Sequence, residues 1–244
     1  MSALTAGHRQ RAEGERSRDG YARRVSTAAS PISLAAALPV FLRHPSPAIL
    51  AGALVAVVAA RLGVGGFSAA DLWPLLALAV VWPFQEWLIH VFLLHARPFT
   101  VLGRRFDLAL ARKHRRHHRE PENLAILFIP LASYLYSLPA VALFWWAVTP
   151  RLELALTGAA GHLALALRYE WVHYLIHTRY RPRGRWFRRL WRNHRLHHFR
   201  NERHWYGVTM LAADRALGTG GDEASVAASP TCRTLGVAEG ITAP

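Results

Sequence analysis

Four stretches of this chain, 48–67, 72–94, 124–148 and 152–176, are apolar over the ~20 residues that a helix needs to cross a bilayer. A water-soluble domain has no way to bury four such helices on every side, so the chain is expected to fold in lipid. The first stretch carries Arg61, which the sequence places to snorkel toward the interface, and it ends in the run Gly63, Gly65, Gly66. The links 68–71 and 149–151 are too short for anything but tight reversals, so the four stretches pair into two transmembrane hairpins. The expected fold class is all-α: an integral membrane four-helix domain.

Charge orients that domain. The formal net charge is +15 while 52% of residues are hydrophobic, and Lys113 is the only lysine among 30 Lys and Arg residues. The basic residues concentrate in 1–47, 96–123 and 178–207, with eight in the second block and ten in the third, whereas the two short links hold only Arg151. By the positive-inside rule both basic segments and both chain ends face the cytoplasm, which points to a bacterial inner membrane protein. Attraction to anionic headgroups then accounts for the charge without nucleic acid. The expected organisation is a basic cytoplasmic tail over 1–47 with an interfacial apolar segment at 31–42, a membrane domain over 48–217, and a disordered tail over 218–244.

Chemistry concentrates in the histidines. Of fourteen, ten form four groups: His90 with His95; His114, His117 and His118; His173 with His177; and His194, His197 and His198. Each helix that returns to the cytoplasm ends in a pair, and each basic segment then supplies a His-x-x-His-His triplet, forming a helical cap on one membrane face. On a helix the positions i, i+3 and i+4 share a face, so each triplet is expected to aim three imidazoles at one point. His173 and His177 are one turn apart. His90 and His95 differ by five positions, about 140° around an ideal helix, which predicts a pair that straddles two metals or a helix end that unwinds.

Ten imidazoles exceed the roughly four to six ligands of one ion and suit two ions with about five each. The single cysteine, Cys232, excludes thiolate clusters, leaving nitrogen and oxygen to hold any metal. Imidazole suits iron, zinc, copper and nickel alike. Glu86 and Glu170, ionisable groups in apolar helices, read either as acceptors that orient an imidazole N–H or as partners of Arg168 in a salt bridge. Asp107, Asp214 and His204 are further candidates for such supporting contacts. His8, His44 and His162 read as ordinary surface or core residues.

In order and spacing, the series His90-x4-His95, His114-x2-His117-His118, His173-x3-His177, His194-x2-His197-His198 resembles the fatty acid hydroxylase and sterol desaturase superfamily. It is most similar to the fatty acid 2-hydroxylase branch over residues 70–219, including the closing stretch from Gly207 through Asp214 to Thr219. The resemblance implies two non-haem iron ions held by the ten grouped histidines, with zinc as a possible substitute, and O2 as co-substrate. It also implies a lipid chain as the molecule hydroxylated. No fused cytochrome domain fits in the 47 residues before the first span, so electrons are expected from a separate ferredoxin, cytochrome or reductase. Sterol or carotenoid hydroxylation and desaturation are alternatives within the superfamily. A membrane metal-binding or transport protein is the alternative outside it, though transporters gather polar ligands near the midplane rather than at one face.

Overall fold

The structure, a computed structural model, describes residues 31–237. His8, the tail over 1–30 and residues 238–244 lie outside the described residues.

Helix α1 (Leu34–Arg43) begins where the Ser33 hydroxyl accepts the amide of Ala36, and α2 (Pro45–Val64) begins where His44 Nδ1 accepts the amide of Ser46 with Pro45 in the first turn. Both are side-chain N-caps, and proline suits a position whose amide has no partner within the helix. Gly65, at φ 68°, ends α2. A short 3₁₀ turn, Ala69–Asp71, reverses the chain into α3 (Leu72–Leu88), which continues as a π-helical turn over Ile89–Leu94. After a small β-hairpin, α4 (Ala109–Arg119) carries the first triplet. Two 3₁₀ turns lead to α5 (Tyr134–Val148), then α6 (Leu152–His177), α7 (Arg185–Phe199) with the second triplet, and the short α8 (Ala212–Ala216).

Among the described residues, three helical segments are long and apolar enough to cross a membrane: Pro45–Val64, Ala69–Leu94 and Leu124–Val148, with mean hydropathies of 2.0, 1.5 and 1.8. Only 17%, 28% and 28% of their apolar windows are buried inside the protein, so most of that surface faces outward, as lipid and not water would favour. This is a membrane protein. α6 is the central helix, packed on α2, α3 and α5. Its small residues allow close approach: a Cβ added to Gly158 would lie 2.3 Å from the Trp145 ring, and one on Gly161 would lie 2.8 Å from Leu75 and Leu78. Leu78, Trp145, Ala155 and Ala159 form one core cluster; Leu50, Tyr134 and Leu163 form another.

Three features differ from expectation. Arg61 does not snorkel: it is 4% exposed, and its guanidinium meets Asp71 Oδ1 at 2.6 Å, Thr157 Oγ1 at 2.8 Å and the Gly65 carbonyl at 2.5 Å. A partnered charge is tolerated where a bare one is not, and this knot ties the α2–α3 reversal to α6. The helical fold also includes two antiparallel strands, β1 (Phe99–Val101) and β2 (Arg104–Phe106), joined by Leu102 and Gly103. Both turn residues have positive φ, the backbone that tight hairpins require. Residues 219–237, expected as a disordered tail, form a run of turns in which Val226, Cys232 and Leu235 are buried. They are held by hydrogen bonds from Ser229 N to the Arg200 carbonyl and from Thr231 Oγ1 to Glu202. Polar contacts with the histidine cap order a segment too poor in apolar residues to order itself.

Candidate metal centre

All four histidine-bearing helices deliver their rings from or near C-terminal ends: the π-helical end of α3, and the last turns of α4, α6 and α7. Helix C-termini carry partial negative charge, so cations are favoured where four of them converge. The ten rings do converge. His90, His95, His114, His118 and His197 form one set, and His117, His173, His177, His194 and His198 form a second; within each set one ring nitrogen per residue lies within 4.8 Å of the others.

The triplets are shared between sets rather than aimed at one point each, which corrects the expectation. From α4, His114 and His118 join the first set and His117 the second; from α7, His194 and His198 join the second and His197 the first. Helix geometry explains the division. At about 100° per residue, positions i and i+4 lie about 40° apart, whereas i+3 falls about 60° to the other side. Each set thus receives a helix-end pair, the i and i+4 rings of one triplet, and the i+3 ring of the other. The five-residue spacing of His90 and His95 also resolves: the π-helical turn makes the hydrogen bond from His95 N to the His90 carbonyl (3.0 Å) and brings both rings into one set. The unwound-end alternative fits and the straddling pair does not.

Eight of the rings are buried, and His95 and His177 are half-buried. Burial first, and then the neighbouring rings, hold the imidazoles of His95, His114, His117, His118, His194 and His198 well below their ordinary range. His197 moves the same way, chiefly through burial. These rings are neutral at pH 7, the form that ligates metal. Facing Nε2 atoms stand 3.1 Å apart for His90 and His114, 3.2 Å for His114 and His118, 3.0 Å for His177 and His194, and 3.1 Å for His194 and His198. At metal–nitrogen bonds of about 2.1 Å, ligands at right angles would be about 3.0 Å apart, so these spacings suit the edges of a coordination shell. Buried Nε2 atoms of His95, His173 and His197 have no partner at all, a cost of about 1–3 kcal/mol each that a bound ion would remove. The residues present therefore fit two metal ions. Cys232 is not a ligand: burial pushes its thiol up to about 11, and its Sγ donates to the Ser229 carbonyl.

Backbone carbonyls hold the first set. His90 Nδ1 meets the Tyr206 carbonyl at 2.7 Å, His197 Nδ1 the His204 carbonyl at 2.7 Å, and His118 Nδ1 the Cys232 carbonyl at 2.8 Å. Each carbonyl accepts the Nδ1–H and so leaves the Nε2 lone pair free for a metal. Sequence reasoning missed all three, since a main-chain oxygen has no residue signature. It also missed the Tyr206 ring, packed 5.3 to 5.4 Å from the rings of His90, His95 and His197.

The acids support this arrangement indirectly. Glu86 accepts no imidazole N–H. Its Oε1 takes the amides of Val208 and Thr209 at 2.5 and 2.7 Å, and its Oε2 takes the Thr209 hydroxyl at 2.7 Å. Asp214 accepts the amides of Tyr206 and Gly207 at 3.0 and 2.8 Å and the Thr219 hydroxyl at 2.7 Å. Together they clamp the segment whose Tyr206 carbonyl props His90. Glu170 Oε1 accepts Ser46 Oγ and Ile129 N at 2.7 and 2.8 Å. Arg168 pairs with neither glutamate; it donates to the Thr209 carbonyl and lies over the Trp186 ring. Asp107 forms a buried pair with Arg115 at 2.5 Å. His204 contributes its carbonyl rather than its ring. His44, stacked on Phe128, and His162, facing Gln85, stand outside both sets.

This chain resembles known proteins over the same residues. The model of the fatty acid hydroxylase family matches residues 75–219. A dihydroceramide fatty acyl 2-hydroxylase of Arabidopsis thaliana is 29% identical over 141 residues, 57% of this chain and 57% of that protein, so the match spans a little over half of the relative's length. A beta-carotene hydroxylase of Paracoccus sp. (strain PC1) is 34% identical over 92 residues, 35% of this chain and 54% of that one. Among solved structures, full-length scs7p, of which only the hydroxylase domain is visible, superposes with a TM-score of 0.61 at 22% identity, covering 75% of this chain and 68% of that one.

Proposed function

Because the chain belongs to the fatty acid hydroxylase family, we propose that it is a membrane di-iron oxygenase that hydroxylates the acyl chain of a lipid, using O2 and electrons supplied from outside. The observation that carries this reading is the pair of five-imidazole sets. His90, His95, His114, His118 and His197 would hold one ion, and His117, His173, His177, His194 and His198 the other. When bound, a redox-active metal pair supplies the oxidising power that an aliphatic C–H bond demands and that no side chain provides. One oxygen atom of O2 enters the C–H bond and the other leaves as water, with two electrons and two protons drawn from elsewhere.

The protein's own part is to bind, orient and exclude water. Carbonyls of Tyr206, His204 and Cys232 fix three ring tautomers. Glu86 and Asp214 hold the segment that carries the first of them, and burial of the cluster keeps water from the oxidising centre. In this reading α6 is a fourth crossing helix, Glu170 and Arg168 notwithstanding, and the two hairpins place the histidine cap, both basic segments and both chain ends on the cytoplasmic side of a bacterial inner membrane. The arginine-rich stretch of α7 and the residues before it would receive an acidic ferredoxin, cytochrome or reductase.

The test is reconstitution. Purified protein should carry close to two iron ions per chain and, with an electron donor, O2 and a fatty acyl lipid, yield a product heavier by one oxygen atom. His117→Ala and His197→Ala should each lower iron content and reduce turnover by at least about a hundredfold. Hydroxylation at full rate by protein stripped of metal would refute the proposal.

A further inference from the structure

A cleft of about 60 Å³ opens beside the histidine sets. Its apolar wall includes Leu94, Leu110, Phe128 and Ile129, and its floor includes His114 of the first set with His117 and His173 of the second. One charged side chain lines it: Lys113, the only lysine of the chain. Lys113 and His117 are four positions apart on α4 and so share a helix face. The ammonium is half-buried and donates to the Phe128 carbonyl at 2.5 Å, which occupies one of its three donors.

An ammonium with donors to spare, set in an apolar wall against both metal sets, is a recognition element for an oxygen-bearing group at the end of an apolar chain. The cleft is small. At roughly 10–15 Å³ per water-sized group it holds about four to six such groups, enough for the first atoms of a chain and not its length. We propose that Lys113 binds the carbonyl end of the acyl substrate by donating to its oxygen, and thereby presents the adjacent carbon to the metal pair. This rests on the reading of the cluster as an acyl-chain oxygenase. It makes Lys113 a substrate-positioning residue that sets which carbon is oxidised; it forms no covalent bond and transfers no proton. A carboxylate and an amide or ester carbonyl offer the same acceptor oxygen, so the test compares them.

Binding is measured first, because it requires no turnover. The purified protein is titrated with a fluorescent fatty acid, its methyl ester and its N-acyl amide, using the wild type, Lys113→Met and Lys113→Arg. Loss of a charge-assisted hydrogen bond should weaken binding about tenfold or more in Lys113→Met, with Lys113→Arg close to wild type. Weakening confined to the free acid identifies a carboxylate; weakening of all three identifies the carbonyl oxygen. Should Lys113→Met fail to fold for want of the Phe128 contact, Lys113→Gln keeps a donor there and removes the charge. Product position is the second readout: the wild type should oxidise the carbon next to the carbonyl, while the uncharged variants, at unchanged iron content, should spread oxidation along the chain. Equal affinity of wild type and uncharged variants for all three probes would overturn the proposal. If binding depends on Lys113 but the wild type, fully loaded with iron, oxidises nothing, the oxygenase reading fails and the binding role of Lys113 stands.

Discussion

The two histidine sets are assembled by the same rule and held by different means. Each takes a helix-end pair, two rings of one triplet and one of the other. In the first set three rings hand their Nδ1–H to backbone carbonyls, at Tyr206, His204 and Cys232. In the second, the Nδ1 atoms of His117, His194 and His198 are buried without a partner, so those rings stand on helix packing alone. The first site is therefore fixed by chain far beyond the helices that carry its ligands, and the second is fixed by α4, α6 and α7 themselves. A propped imidazole has one tautomer and one orientation; an unpropped one must lose that freedom when metal binds. The first site should be the tighter of the two, and its tightness should depend on residues 204–232.

The strongest way to break this comparison is to remove a prop. A chain that ends after Asp222 keeps the Thr219 and Gly221 carbonyls that receive the amide and indole of Trp205, but loses the Cys232 carbonyl and the contacts of 226–231 with Arg200 and Glu202. Iron analysis should find one of the two ions lost and the other retained. Equal loss from both sites would show that the segment acts on the cap as a whole.

Acid probes what the sets have in common. The imidazoles of His95, His114, His117, His118, His194, His197 and His198 lie well below the ordinary value in the folded protein, first because of burial. In the unfolded chain they would titrate near 6.5. Above that pH both states are neutral and stability is full; below it the unfolded state binds more protons, and stability falls by about 1.4 kcal/mol per pH unit for each ring. Thermal unfolding of the metal-free protein in detergent should shift to markedly lower temperature between pH 7.5 and 5.5, and bound metal should oppose the shift. A midpoint unchanged across that range would mean that the rings are not buried as neutral groups.

How much of this the sequence disclosed depends on where the information sits. All ten grouped histidines were legible from spacing, as was their gathering at helix ends, because periodicity and hydropathy are side-chain properties. The division of each triplet was legible in principle: the 40° and 60° separations follow from helix geometry, and only the assumption of one point per triplet hid them. The pairing of His90 with His95 needed the π-helical turn, which nothing in Ile89–Leu94 announces. Glu86 and Glu170 stand out in the sequence as ionisable groups in apolar helices, but their partners are amides and hydroxyls from Val208, Thr209, Ser46 and Ile129, brought near by folding alone. The order of residues 219–237 is hidden from the sequence for a related reason. Composition reports apolar burial, and that segment is ordered mainly by hydrogen bonds to the cap.

The finest test of the comparison is Glu86, which touches no histidine. Its carboxylate takes two amides and one hydroxyl from Val208 and Thr209, two and three residues past the Tyr206 carbonyl that props His90. The Thr209 hydroxyl is fixed in turn by the Trp82 indole at 3.1 Å. Glu86→Ala leaves three buried donors without an acceptor and frees the segment, so affinity at the first site should fall about 10–100-fold, the range usual for loss of a supporting contact behind a ligand. Glu86→Gln keeps one amide-accepting oxygen and can donate its own amide to the Thr209 hydroxyl, so its loss should be about tenfold or less. Both variants should leave the second site unchanged. Metal titration that resolves the two sites separates the outcomes: a graded loss at the first site alone supports propping through the backbone, and parallel weakening of both would assign Glu86 to general stability of the cap.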